Sequence, residues 1–144
     1  MKIKILIIAI GLLLYENAQA RELAIIANKA YPSGSIAIAV LKDVYRGEKT
    51  VEGGVKIRPI DQEGSMIEKK FLEKALGTTI DRYKGYWIKR IFQDGGVPPV
   101  KKKSSGAVME SVKQEAGWIG YIWKDEVDPK DNEIKVLLTI EVGD

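Results

Sequence analysis

Two stretches place glycine and serine ahead of amphipathic runs, Ser33-Gly34-Ser35 and Gly64-Ser65. Backbone arranged in this way can hold an anion. The first turn of a helix leaves N–H groups without intrahelical partners, and the helix dipole favours negative charge beside them. The hydroxyls of Ser33, Ser35 and Ser65 would add further donors for an oxyanion. The same residues also suit purely local purposes. Ser65 and Glu68 have the S-x-x-E spacing of a capping box, and Ser33-Gly34-Ser35 follows Tyr31-Pro32 as turn chemistry. Glu63 and Glu68 flank the second stretch, and a unit charge near 4 Å repels an anion by about 4 kcal/mol at an effective dielectric of about 20. Offsetting cations would come from Arg58 or from Lys101, Lys102 and Lys103.

Most other chemistry is closed. The 144 residues include no His and no Cys, which removes the commonest general base, thiol nucleophiles, ordinary zinc sites and disulfides. Asp125, Glu126, Asp128, Asp131 and Glu133 lack the alternate-position pattern and the glycine of a calcium loop, so they read as a polar turn. No carboxylate pair stands out as an acid–base couple. The expectation is therefore a protein without metal or cofactor, and not an enzyme. The lysine triplet reads as a solvated loop with the means to steer anions or touch lipid head groups. The three Trp and six Tyr read mostly as core.

The amino-terminal residues say where the chain works. Lys2 and Lys4 precede an apolar run over 5–14, broken only by Gly11, and Ala18-Gln19-Ala20 offers small residues for a signal peptidase. That run is about ten residues, against about twenty needed to span a bilayer. The expectation is a signal peptide over 1–20 and one domain over 21–144, periplasmic, soluble and without a stable membrane anchor. The net charge of +3, falling to +2 when Lys2, Lys4 and Glu16 are removed, is too small for a nucleic-acid partner.

Elements that would position the serines can be read along the chain. A buried strand is expected over 23–27, a helix over 36–46 capped by Ser35 and ended by Gly47, and a turn at Glu52-Gly53-Gly54. A strand follows over 56–60, where Pro59 points to an edge or an ending. Helices are expected over 65–76, stopped by Gly77, and from the Thr78/Asp81 cap onward, with Ile80, Tyr83, Trp87 and Ile91 in one stripe. Residues 93–100 read as loop, and Ser104 or Ser105 caps a helix running to 115. The strand 118–123 has Gly120 at a close approach. In the last strand Ile134, Val136, Leu138 and Ile140 share one face. Strands interleaved with helices indicate an α/β fold, a small mixed sheet covered by helices.

The succession Leu-Ala-Ile-Ile-Ala-Asn ending at Asn28, Val44-Tyr45-Arg46-Gly47, Ile57-Arg58-Pro59-Ile60, Gly64-Ser65 with Phe71, Leu76-Gly77, Tyr86-Trp87, Gly95-Gly96-Val97-Pro98-Pro99 and Trp118-Ile119-Gly120-Tyr121 resembles a known family. It is that of the solute-binding components of phosphate ABC transporters. The resemblance covers about residues 23–123. It implies the fold of a type II periplasmic binding protein that takes phosphate or another oxyanion and serves an ABC permease. Full members have two lobes, and the 124 residues after position 20 supply about one, so a single lobe, half of such a protein, is expected. The family's phosphate loop is similar to Ser-Gly-Thr six residues before a Phe; here those positions hold Ser65, Met66 and Ile67, so only the serine is kept. The arginine usual ahead of that loop falls near Asp61. The candidate anion-binding set, joining the helix-start residues to the loop positions of the resemblance, is Ser33, Ser35, Gly64, Ser65 and Ile67. A homodimer or a second protein would complete the cleft. The alternative is a ligand-free adaptor with the same fold, which the degenerate loop and its flanking acids favour.

Overall fold

The computed structural model describes residues 21–64 and 66–143; the expected signal peptide and Ser65 lie outside the described residues. The elements are β1 (Arg21–Asn28), α1 (Ile38–Tyr45), a small hairpin of β2 (Val51–Glu52) and β3 (Val55–Lys56), β4 (Arg58–Gln62) and α2 (Met66–Phe71). After α2 the helix widens into a π-helical turn (Leu72–Leu76). Then follow α3 (Ile80–Asp94), β5 (Val100–Lys102), α4 (Ser105–Val112), β6 (Trp118–Trp123) and β7 (Ile134–Gly143).

Five strands form a mixed sheet in the order β5-β4-β6-β1-β7. β4 runs parallel to both β5 and β6, whereas β1 is antiparallel to β6 and β7. Helices cover both faces, as expected for α/β. One core gathers Leu23, Ile25, Leu41, Tyr45, Phe71 and Trp87 beneath α1, α2 and α3. The other holds Ala24, Ile26, Ile60, Val108, Val112 and Ile122 beneath α4. β1 alternates between these cores, which is why its apolar run is unbroken.

Glycines allow two close approaches. A Cβ on Gly117 would lie 1.9 Å from the Lys56 carbonyl oxygen, and one on Gly120 would lie 2.7 Å from Val108 Cγ1. The second is the approach expected from the sequence, and it lets α4 sit directly on β6.

Several boundaries differ from expectation. α1 starts at Ile38 with Ala37 at the cap, so Ser35 does not cap it. Residues just before the helix stay extended because the Ile36 N–H donates to the Leu137 carbonyl of β7. α3 is capped by Thr79, whose hydroxyl accepts from the Arg82 N–H, rather than by Thr78. β4 lies inside the sheet; Pro59 fits because its stretch pairs only with β6, and β5 joins from Ile60 onward. β5 itself begins inside the expected loop. α4 ends at Val112, three residues before the expected end. In β7 the register slips twice, between the partners of Ile25 and Ile26 and between those of Arg21 and Glu22. Leu137 and Val142 are the extra residues and become buried, while Val136 is left exposed.

Candidate functional site

In open α/β sheets, ligands collect where parallel strands end. At the carboxyl end of β4 the chain presents Asp61, Gln62 and then Gly64, and at the carboxyl end of β5 it presents Ser104 and Ser105 at the start of α4. The Gln62 Nε2 donates to Ser105 Oγ at 3.1 Å and so ties the two ends together.

Both ends already carry carboxylates of this chain. The Gly64 N–H donates to Glu68 Oε2 at 2.9 Å, so the acid one turn into α2 reaches back over its start. Ser105 Oγ donates to Glu126 Oε1 at 3.1 Å. Asp61 is buried, and its carboxylate accepts from the hydroxyls of Tyr83 at 2.8 Å and Tyr121 at 3.2 Å. Tyr121 in turn accepts from the Gln62 N–H at 3.1 Å. Loss of solvent raises the Asp61 pKa to about 6, against the pull of those hydroxyls. Burial, reinforced by Asp61, pushes Tyr83 and Tyr121 well above the ordinary phenol range. The rings beneath are rigid: Phe71 stacks on Tyr121 at 3.8 Å, and Tyr45 meets Phe71 edge-on at 4.8 Å.

The sequence-derived residues fall in two places. Gly64 is exposed beside Glu68, and Ile67 is buried in the larger core with its side chain turned away from solvent. Ser33 and Ser35 line a separate polar recess of about 270 Å³ with Tyr31, Lys49 and Glu52. There Ser33 Oγ donates to Glu52 Oε1 at 3.0 Å, and Lys49 holds the other Glu52 oxygen at 2.9 Å. Those bonds, the lysine's first, lower the Glu52 pKa. Asp61, Tyr83 and Tyr121 were not singled out from sequence as a site. The available signal was an acid set between Ile60 and Gln62 in an otherwise apolar strand.

A larger groove of about 330 Å³ opens at the opposite, amino-terminal ends of β4, β5 and β6, with Ile57, Pro59, Trp87, Val97, Val100 and Trp118 among its walls. Arg58 crosses Trp118 at 5.6 Å from the ring centre and pairs with Glu115 at 3.4 Å. Among the described residues no three His, Cys, Asp or Glu side chains cluster in a way that would hold a metal, and no helix is long and apolar enough to cross a membrane.

Solved structures give this arrangement its context. A protein of Clostridium perfringens assigned as a phosphate ABC transporter substrate-binding protein, solved with bound phosphate, is 21% identical and superposes with a TM-score of 0.65 over 82% of this chain and 45% of its own. The chain has the fold of one lobe of such proteins. An ABC-type phosphate transport receptor of Vibrio cholerae matches at 21% identity and TM-score 0.61, covering 82% of this chain and 46% of its own. PstS of Borrelia burgdorferi matches at 19% and 0.63, covering 82% and 47%. The chain thus spans a little under half the length of these proteins. No family model and no curated protein matches its sequence. The resemblance read from the residue pattern points to the same group as these structures.

Proposed function

We propose that the chain is exported through residues 1–20 and works in the periplasm as a substrate-binding-like protein of the phosphate ABC transporter type. Its ligand would be phosphate or another oxyanion. The observation that carries this reading is the shared fold with three phosphate-transport binding proteins over 82% of the chain. The role is binding, not catalysis. In the free chain the Glu68 carboxylate stands where an oxyanion would meet the Gly64 amide, and ligand entry requires that side chain to swing out. A second copy or a permease would wall the open side of the site.

A second reading has its own observation. Gly64, Ser33 and Ser105 each already serve an internal carboxylate. With its donors satisfied, the same fold would act as a ligand-free adaptor in the envelope. Calorimetric titration of residues 21–144 with phosphate and sulfate separates the two. The oxyanion reading expects binding that tightens about tenfold in Glu68→Gln, because a charged competitor at the amide is removed. No heat from either anion in either protein, with folding intact, leaves the adaptor.

A further inference from the structure

Among the described residues, most of the exposed large apolar side chains sit on one short segment. Ile88, Ile91 and Phe92 lie on the outer turns of α3, Val97 in the loop after it, and Val100 at the start of the edge strand β5. Phe92 is 86% and Val97 84% exposed. The chain reverses at Gly95, and Gly96 packs against Arg90 and Trp87, which brings Val97 back beside the last turns of the helix. Pro98 and Pro99 then stiffen the loop. An exposed apolar cluster of this kind marks a surface that meets something other than water.

The charge around it is one-sided. Residues 80–103 hold seven basic and two acidic side chains, Asp81 and Asp94, whereas the rest of the chain holds 16 basic and 18 acidic. None of Lys84, Lys89, Lys102 or Lys103 takes part in an ion pair among the described residues. Lys101 faces the buried Asp61 across the β4–β5 register. Protein interfaces are depleted in lysine, whereas lysines beside protruding Phe, Ile and Val are the pattern of elements that lie in a lipid interface. The apolar patch is separate from the oxyanion site: its side chains come from the outer face of α3, the loop after it and the amino-terminal start of β5, whereas Gly64 and Ser105 follow the carboxyl ends of β4 and β5.

We infer that this segment is a peripheral docking surface for an anionic phospholipid bilayer. Phe92 and Val97 enter the headgroup boundary, and the lysines of α3 and β5 meet the lipid phosphates. The inference does not depend on oxyanion binding by the chain.

Cosedimentation tests it. Residues 21–144, which include both cores, are mixed with phosphatidylcholine vesicles containing about one third phosphatidylglycerol, and with phosphatidylcholine vesicles alone. The chain should pellet with the anionic vesicles at low salt, stay in solution with the neutral ones, and be released at about 0.5 M salt. The Phe92→Ser/Val97→Ser double variant alters side chains that lie outside both cores and should keep its urea transition while binding about tenfold more weakly. Replacing Lys101, Lys102 and Lys103 by Gln should flatten the salt dependence, and Glu68→Gln should leave vesicle binding unchanged. A native chain that stays in solution with anionic vesicles at low salt overturns the inference. So does a folded double variant that binds as well as the native chain.

Discussion

Asp61 is a carboxylate inside the core, and the pH response of the chain should carry its signature. Burial raises its pKa from 3.8 to about 6 in the folded state. The folded chain therefore holds that proton more tightly than the unfolded chain does. Its contribution is fully present below the unfolded pKa and is lost as pH rises through about 6. The gap corresponds to about 3 kcal/mol across the whole window, of which about 2 kcal/mol falls between pH 4.5 and 7.5. Urea unfolding at those two pH values should show the native chain losing that amount relative to Asp61→Asn, which has no proton to release. Parallel pH profiles for the two proteins would contradict this assignment. The hydroxyls of Tyr83 and Tyr121 keep the ionised form tolerable, since both donate to the carboxylate. Sequence spacing offered no route to this triad: its members come from β4, α3 and β6, and only the fold brings them together. The Gly64–Glu68 bond, by contrast, lies within one helical turn, and the acid at the capping spacing was visible beforehand.

At the scale of elements, legibility follows how local the causes are. β6 was readable at both ends because Gly117 and the polar run after Trp123 bracket an apolar stretch. Gly77 was readable as a helix stop, and it adopts φ 64° there. β7 was readable as a strand but not in its facing. Strict alternation put Val136 with Leu138, yet two bulges against β1 insert an extra residue each, and each insertion reverses which side chains point inward. A bulge is fixed by the partner strand, so β7 alone carries no sign of it. Substitution makes the point measurable. Leu137→Ala, at a position 4% exposed, should cost about 2–4 kcal/mol, whereas Val136→Ala, 37% exposed, should cost under about 1 kcal/mol. Equal losses in urea unfolding would mean that the slipped register is wrong. The start of α1 was misjudged for a similar reason: a backbone bond to β7 holds Ile36 extended, although the sequence there also suits a helix.

The described lobe is closed by its first and last strands. β1 begins at Arg21, and its partners are β6 and β7: Leu23 pairs with Trp123, and Arg21 with Gly143. Neither core can form around β1 until about a hundred further residues are available, and loop closure must precede those contacts. Refolding from urea should accordingly be slow for a domain of this size, about 1–100 per second and not in the microsecond range of helical bundles. Ending the chain at Glu133 sharpens the test. It removes β7, strips Leu137 and Val142 from the larger core, and leaves β1 as an exposed edge strand paired only with β6. That shortened chain should lose its near-ultraviolet circular dichroism and its cooperative urea transition. Should it unfold cooperatively with more than about half the native stability, β7 would be an appendage, and closure of the fold by the pairing of β1 with β7 would be the wrong account of what holds the lobe together.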